Sequence, residues 1–362
     1  MRVSVVGAGL SGASIANIHT KRGDSVNVYS QNIGGNIATS RPEGYPVHLH
    51  GAHIFHTDNN DVWNFVNQYV NFVDYRHTVF AVTYAGKLSL PFNMATYDAL
   101  FGGNDAEGHR RAIEFDKTRI LNPSNFEEFA TNTIGQTIYH NLVKYYTEKQ
   151  WGKKATELPA DIFKRLPMRW NYDNSYFHNS RFQGTCDYTD LIQNLLKTSY
   201  INQDTITLQG LEYLTKISDK VYFTGSLDEL FDYEFGQLEY RSLRFEHEWY
   251  TVESGMSVLG NSVINDCTEE RRYTRRIEHM LFTPGVNSTK SLVTTEFPED
   301  WVPGKIRYYP IGTQKNLDRY QLYLDKLRKL SDKIIPAGRL ASYKYMDMDK
   351  IIEQAFQLTN YI

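Results

Sequence analysis

The order of apolar and polar positions predicts a strand, a helix and a second strand at the beginning of the chain. Residues 3–6 form an apolar run that is typical of a buried strand. Residues 14–21 place apolar side chains at helical spacing, and residues 25–30 alternate as a strand does. Residues 1 to about 75 are therefore predicted to form the first βαβ portion of an α/β domain.

The pattern changes twice further along the chain. Apolar spacing of three and four residues from 94 to about 154 predicts a helical insertion, and β-rich segments between 240 and 295 predict an antiparallel sheet. Other predicted elements are a hairpin at 79–84 and 87–90, a strand at 221–224, and helices at 188–199, 316–331 and 348–358. The last helix is expected to return to the N-terminal domain.

A glycine motif connects the first strand to the first helix. Gly7 permits a tight turn, Gly9 lets the backbone approach a pyrophosphate, and Gly12 lets the helix pack closely on the sheet. The free N–H groups of the helix N-terminus attract phosphates. The spacing G-x-G-x-x-G after a strand therefore predicts a dinucleotide site, the alternative being a glycine-rich turn without function.

The second strand lacks the acid that usually binds an adenosine ribose. Its end offers Tyr29, Ser30 and Gln31, and a neutral hydroxyl makes a weaker hydrogen bond than a carboxylate. The second glycine pair, Gly34 and Gly35, follows directly. This pair favours FAD over NAD, because a flavin dinucleotide passes both loops.

Length, charge and cysteine content limit the function classes. With 362 residues, the chain is expected to form two or three domains, and its net charge of −3 argues against nucleic acid as a partner. No apolar stretch approaches about 18 residues, and the first strand begins at Arg2, so neither a membrane span nor a signal peptide is expected. The two cysteines, Cys186 and Cys267, provide no disulfide framework, which favours a cytoplasmic location.

Four histidines, His48, His50, His53 and His56, fall within nine residues. They allow a metal site, histidines with structural hydrogen bonds, or a loop that faces a cofactor. No acidic residue lies inside the cluster, which disfavours a metal site. Gly51 favours the cofactor-facing loop, because a backbone in contact with a ligand often lacks a Cβ.

Two charged segments and one aromatic segment also admit two interpretations each. Residues 163–169 are a basic segment broken by proline, which indicates either a diphosphate clamp or a solvated loop. Residues 269–276 indicate either a solvated face or an anion-binding arginine. Aromatic residues at 145–151 indicate core packing or a ligand platform.

Nine blocks, in order over almost the whole chain, resemble the bacterial UDP-galactopyranose mutases. They are residues 51–57, 90–93, 146–152, 157–159, 231–233, 238–243, 308–310, 338–341 and 343–345. The resemblance implies three domains around a cleft. These are an FAD-binding Rossmann-type domain (1–75, 184–226 and 306–362), a helical domain with a mobile substrate loop (92–180) and an antiparallel sheet domain (76–91 and 227–305).

The resemblance also implies a reaction. N5 of the reduced flavin attacks the anomeric carbon of a nucleotide-linked sugar and displaces the diphosphate. The ring then opens and recloses, so that the pyranose and furanose forms interconvert without net redox change, as between UDP-galactopyranose and UDP-galactofuranose. The cofactor supplies the nucleophile, so no nucleophilic side chain is required.

Residue roles follow from the same resemblance. Catalytic roles are implied for Arg165, Arg275, His53 and His56. Substrate contacts are implied for Tyr146, Trp151, Tyr176, Asn265, Tyr309 and Tyr345. Cofactor contacts are implied for Gly7, Gly9, Ser11, Gly12, Ser30, Gly34, Gly35, Asn36, Arg339, Asp347 and Met348.

The implied partners are a UDP-sugar, a reductant such as NAD(P)H and a second copy of the chain, in a role in cell-surface polysaccharide synthesis. Two alternatives stay open. One is an FAD-dependent oxidoreductase of the amine-oxidase type, which shares the glycine motif. The other is a non-catalytic nucleotide-sugar binding protein without tight FAD binding, suggested by the absence of an acid near Ser30. The sequence does not distinguish among sugars, or between uridine and thymidine.

Overall fold

The structure is a computed structural model that describes residues 1–160, 168–177 and 180–361. The α-helices are α1 Leu10–Lys21, α2 Asn60–Asn67, α3 Met94–Phe101, α4 Ala106–Asp116, α5 Phe126–Ile138, α6 Lys144–Trp151, α7 Tyr188–Leu196, α8 Leu208–Ile217, α9 Leu227–Leu230, α10 Gln314–Leu330, α11 Gly338–Ala341 and α12 Met348–Thr359. The helices predicted at 188–199, 316–331 and 348–358 are confirmed with small shifts at their ends.

The strands form two large sheets and two short pairs within the described residues. The strands are β1 Arg2–Ala8, β2 Ser25–Ile33, β3 Thr39–Ser40, β4 Val47–His48, β5 Phe55–Thr57, β6 Val79–Thr83, β7 Gly86–Leu90, β8 Phe182–Gly184, β9 Tyr200–Asn202, β10 Lys220–Phe223, β11 Tyr240–Thr251, β12 Val263–Asp266, β13 Arg275–Glu278, β14 Lys290–Asp300, β15 Tyr309–Pro310 and β16 Ile334–Pro336.

The first sheet has the order β16-β10-β1-β2-β9, and its pairs are parallel. Helix α1 packs on one face together with α7 and α12, where the core includes Val5, Ile15 and Leu191. Helices α8 and α10 contribute to the core of the other face. Apolar strands covered on both faces are typical of parallel α/β sheets, so the predicted fold class is confirmed.

The turn from β1 to α1 requires glycine. Gly7 has φ of 107°, which glycine adopts without strain. A Cβ on Gly12 would lie 2.0 Å from the carbonyl oxygen of Gly7, inside van der Waals contact. The absence of this Cβ therefore lets α1 begin directly against the end of β1.

The second sheet has the order β15-β11-β14-β13-β12-β6-β7. Its longest pair is β11 with β14, which run antiparallel from Arg241 opposite Asp300 to Thr251 opposite Lys290. The predicted hairpin is confirmed as β6 and β7. The sheet is antiparallel as predicted except for one pair, because β6 and β12 run parallel.

The helical segment from α3 to α6 packs on this second sheet. Phe92, Ile134 and Leu142 share one apolar core with Val79 and Ile277 of β6 and β13. Helix α5 is interrupted at Gly135, where φ is 80°, and a π-helical turn at Tyr139–Val143 leads into α6. This break directs α6 toward the junction of the two sheets. The division of the chain into three domains stays a proposal.

Across the part of the chain that the structure describes, no helix combines the length and the apolar character needed to cross a membrane.

The close contact at Gly12 generates a prediction for stability. Replacement of Gly12 by Ala should reduce the free energy of unfolding by about 2 kcal/mol or more, because the new methyl group must displace α1 from β1. Chemical denaturation measures the change. Gly103→Ala is the control and should change stability by less than about 0.5 kcal/mol, since its Cβ meets no atom within 4 Å. Equal stability of the two variants would contradict the prediction.

Candidate active site

A cleft of about 920 Å³ lies where the two sheets and the helical segment meet. Its walls are formed by the loop that carries the four histidines (residues 48–56), by β12, β13 and α6, and by the residues around the start of α12. Residues for which the sequence predicted a role and that line this cleft are His53, His56, Tyr146, Tyr176, Asn265, Arg275, Tyr309, Arg339, Tyr345, Asp347 and Met348. Side chains that lie almost 300 positions apart in the sequence therefore line the same cleft.

Two residues predicted to act in catalysis or substrate binding are not among the described residues of this wall. Arg165 lies outside the described residues. Trp151, at the end of α6, is half-buried and packs on the core beneath the helical segment rather than lining the cleft. Its predicted contact with substrate stays a prediction.

Arg275 is the central cation of the cleft. Its Nε donates to Oε1 of Glu296 at 2.8 Å, and its Nη2 donates to the hydroxyl of Tyr309 at 3.3 Å. Burial by itself opposes the charged form, but Glu296 and the nearby tyrosines hold the pKa of Arg275 well above its ordinary value. The guanidinium is therefore a permanent positive charge held in a fixed orientation.

Tyrosine hydroxyls surround this cation. The rings of Tyr309 and Tyr345 stack with centroids 5.9 Å apart, and Tyr146 reaches the cleft from α6. Burial raises the pKa of all three phenols, so they stay protonated and can donate hydrogen bonds at neutral pH. The cation and its hydroxyl neighbours make a site suited to an anion such as a diphosphate.

His53 lies in the cleft as a neutral imidazole. Burial lowers its pKa to about 3, and its Nδ1 lies 2.8 Å from the carbonyl oxygen of Gly51. Because a carbonyl oxygen only accepts, Nδ1 carries the proton and Nε2 keeps its lone pair. His53 can therefore accept a hydrogen bond at Nε2, while its low pKa makes it a weak base at neutral pH.

His56 and His77 complete this side of the cleft. The His56 ring stacks on Phe177 with centroids 3.8 Å apart, and its Nδ1 lies 3.2 Å from the Ser180 hydroxyl. Burial lowers the pKa of His56, although Asp347 opposes this shift. Burial also lowers the pKa of His77 to about 3.

His48 belongs to the core instead. It stacks on Phe282 at 4.7 Å, and its Nδ1 accepts a hydrogen bond from the backbone N–H of His53. Among residues 1–160, 168–177 and 180–361, no group of three or more histidine, cysteine or acidic side chains is arranged to hold a metal ion. The cluster thus divides into a structural histidine and a cleft-facing loop that includes His50, His53 and His56.

The glycine loops fit a dinucleotide. A Cβ on Gly35 would lie 3.1 Å from Cα of Gly9, so the close approach of the two loops depends on glycine at position 35. The buried Ser11 hydroxyl at the start of α1 has no hydrogen-bond partner among the described residues, as a ligand-facing group would. Gly338 lies beside Ser11 and immediately precedes Arg339 of the cleft, which connects the glycine loops with the cleft.

The end of β2 bulges where an acidic residue was expected. Tyr29 pairs with Val6 and Ile33 pairs with Ala8, so three residues beginning at Ser30 bulge outward. The Ser30 hydroxyl donates to the carbonyl of Asn32 at 2.7 Å and keeps its acceptor lone pairs. Asn36 donates to the carbonyl of Arg307, so its side chain is partly used within the protein.

Two further charged residues belong to this region, Glu296, for which the sequence predicts no role, and Arg169 of the basic segment 163–169. Glu296 lies just beyond the β-rich segments predicted between 240 and 295, and its burial opposite Arg275 depends on strand pairing that spans 21 residues. Arg169 lines the cleft, but its guanidinium donates to the carbonyls of Ser175 and Tyr176. Arg169 therefore orders the segment of Tyr176, a role distinct from the diphosphate clamp considered for residues 163–169.

The charged run at 269–276 is divided between the protein surface and the cleft. Arg271 and Arg272 are exposed, and Arg271 lies 3.4 Å from Asp266. Arg275, at the start of β13, turns into the cleft instead.

Comparisons with known proteins agree with this geometry. A family model described as UDP-galactopyranose mutase matches residues 141–345. A second model, described as an NAD(P)-binding Rossmann-like domain, matches residues 5–69, which contain the glycine motif.

Two curated relatives are similar over nearly their full lengths. The dTDP-fucopyranose mutase of Escherichia coli is 36% identical over 369 residues, covering 98% of this chain and 97% of that protein. The probable UDP-galactopyranose mutase of Klebsiella pneumoniae is 37% identical over 366 residues, covering 98% and 93%. The crystal structure of a reduced UDP-galactopyranose mutase has a TM-score of 0.73 and 13% identity over 99% of this chain and 93% of that chain, a likeness of fold.

The buried histidines generate a prediction for pH. Burial lowers the pKa of His53, His77 and His279 to about 3, against an ordinary value of 6.5, so below pH 6.5 the unfolded chain binds more protons than the folded chain. Each such histidine should reduce the free energy of unfolding by about 1.4 kcal/mol per pH unit as the pH falls from 6.5 toward 3.

NMR of labelled imidazoles checks this directly. The three rings should not titrate between about pH 5 and 8 in the folded protein and should titrate near pH 6.5 in urea. Titration of His53 in the folded protein above about pH 5 would disprove its neutral state.

Proposed function

The chain belongs to the UDP-galactopyranose mutase family, and from this membership we propose that it interconverts the pyranose and furanose forms of a nucleoside-diphosphate sugar. Proteins of this family are isomerases that use a flavin. The single observation that carries the proposal is Arg275, a permanent cation oriented by Glu296 and surrounded by tyrosine hydroxyls in a cleft that joins the glycine loops.

The chemistry requires a diphosphate to leave and to return within one site. Arg275 would bind the diphosphate oxygens through its Nη atoms, because its Nε is held by Glu296. Tyr309 and Tyr345, as neutral phenols, would donate further hydrogen bonds to the same group. Their joint effect is to stabilise negative charge where the leaving group develops it.

The residues that would hold FAD are the two glycine loops, Ser11, Ser30 and Arg339. When bound and reduced, the flavin supplies the nucleophile for the anomeric carbon of the sugar. His53, as a neutral imidazole, would accept a hydrogen bond at Nε2 beside the reacting centre. His56 and Phe177 would close this side of the cleft and exclude water, which protects the reacting sugar from hydrolysis.

Several finer features are part of the proposal. Arg165 is proposed as a second diphosphate-binding arginine, Trp151 as a substrate contact, and Tyr146 and Asn265 as contacts with the nucleotide sugar. NAD(P)H is the proposed reductant, and the proposed assembly is a homodimer. A cytoplasmic location is proposed because Cys186 and Cys267 are both free and buried.

The oxidoreductase and the non-catalytic homologue, the two alternative functions, would each leave a feature of the site unexplained. An oxidoreductase of the amine-oxidase type would give no reason for Arg275 and several tyrosines to surround one anion-binding point. A non-catalytic homologue would have no use for the fit of the glycine loops around a dinucleotide. Membership of the family therefore favours the isomerase over both.

Redox dependence is the first prediction for this function. The FAD-loaded protein, once reduced, should convert at least one of UDP-galactopyranose, UDP-arabinopyranose and dTDP-fucopyranose to its furanose form, with no net consumption of reductant. Chromatography of the nucleotide sugars measures the product, and oxidised protein is the control. Stoichiometric oxidation of a substrate would support the oxidoreductase, and failure to retain FAD would support the non-catalytic homologue.

Substitution of Arg275 is the second prediction. Arg275→Lys should lower kcat by roughly a hundredfold, because one ammonium cannot replace the oriented donors of the guanidinium. Steady-state kinetics under reducing conditions provide the measurement. Arg276→Lys is the matched control, since Arg276 is the next residue of β13 and bonds to Tyr250 away from the cleft. Equal losses in both variants would disprove the assignment.

A further inference from the structure

Glu296 is a fully buried carboxylate beside Arg275, the central cation of the cleft. It is 0% exposed, and it lies directly opposite Arg275 in the pairing of β13 with β14. Its Oε1 accepts from Nε of Arg275 at 2.8 Å. This contact uses one edge of the Arg275 guanidinium, so its Nη atoms remain for other hydrogen-bond partners.

The other oxygen of Glu296 is closed off from solvent. Oε2 is buried and has no hydrogen-bond partner among the described residues. Gly51, with φ of 90°, packs so closely that a Cβ there would lie 3.2 Å from Oε2 and 3.7 Å from the ring of Phe245. Water is excluded, so the negative charge of Glu296 acts on Arg275 with little dielectric screening.

A cation whose charge is balanced by a neighbouring carboxylate binds anions differently from a cation without such a partner. Without Glu296, the charge of Arg275 would attract a diphosphate with nothing to oppose it. With Glu296, the pair is close to neutral, so Arg275 itself contributes to diphosphate binding mainly through the geometry of its Nη donors. The carboxylate therefore reduces affinity while it preserves orientation.

We propose that Glu296 is a positioning residue that orients Arg275 and limits how tightly the cleft holds a nucleoside diphosphate. The inference rests on the proposed function, in which substrate and product both carry that diphosphate. Uniform tight binding of the diphosphate would retain the product without stabilising the transition state. The weakening of this binding by Glu296 would therefore favour turnover.

The test is a substitution that removes the negative charge of the Glu296 side chain and keeps an acceptor for its hydrogen bond with Arg275. In Glu296→Gln the amide oxygen can still accept from Nε of Arg275, but the counter-charge is gone. Kd for UDP and for dTDP is measured by calorimetry on the oxidised FAD-loaded protein, at several salt concentrations. We expect Kd to fall roughly three- to tenfold, with a steeper salt dependence, because the charge of Arg275 is no longer opposed. We expect kcat to fall in the same variant.

Glu278→Gln is the matched control. Glu278 is equally buried in the neighbouring strand β13, but its oxygens accept from the backbone N–H groups of Val258 and Leu259 and from the Ser291 hydroxyl. It has no cation beside it in these contacts and does not line the cleft. Its substitution should lower thermal stability and leave the Kd for UDP unchanged, which separates a structural effect from a charge effect.

The outcomes are distinct. Unchanged or weaker UDP binding in folded Glu296→Gln would overturn this inference, while mutase activity of the wild type would keep the proposed function. A wild type that binds neither UDP nor dTDP would overturn both. If Glu296→Gln does not fold, Glu296→Asp retains the charge and shortens the side chain by one methylene. A loss of kcat of about tenfold or more at wild-type FAD content would then support the orienting role, and wild-type kcat would overturn the inference.

Discussion

The cleft depends on one loop, residues 48–56, whose buried main-chain groups must find partners within the protein. Histidine side chains provide them, since the N–H of His48 donates to Nδ1 of His279 and the N–H of His53 donates to Nδ1 of His48. The hydroxyl of Tyr188 in turn donates to the carbonyl of His53. Unpaired buried main-chain groups are costly. This requirement ties the loop to α7, which packs beside α1, and to the turn that follows β13 of the second sheet.

The same loop also contacts two groups with roles in the proposed reaction, the Arg275–Glu296 pair and His53. Gly51 covers the carboxylate of Glu296, and its carbonyl oxygen accepts from Nδ1 of His53. One residue without a side chain thus contacts both the counter-ion of Arg275 and the neutral imidazole. Burial that keeps His53 uncharged also strengthens the attraction between Arg275 and Glu296, because both effects arise from the low dielectric of the same interior.

The sequence allowed local elements to be predicted better than long-range pairings. The β1-α1-β2 unit follows from an apolar run, the spacing of Gly7 to Gly12 and an alternating strand, all of which are local. The parallel pairing of β6 with β12 joins Val79 with Val263, and no local pattern encodes it. The roles of Arg275 and Tyr309 came only from resemblance. Glu296 was missed because a glutamate in an alternating strand usually faces solvent, and its burial depends on packing above the sheet.

The similarity to relatives with different names, one a dTDP-fucopyranose mutase and one a probable UDP-galactopyranose mutase, at 36% and 37% identity, has a physical explanation. Both named nucleotide sugars share a diphosphate, and the fixed cation and its tyrosines are proposed to bind that group. A change of sugar leaves this anion-binding geometry untouched. Sugar selection must therefore arise at side chains that contact the ring substituents, where small differences in the hydrogen-bonding groups of a pocket discriminate strongly. In the proposed function, the contacts of Arg275 and the tyrosines with the diphosphate are therefore the same whichever sugar is bound.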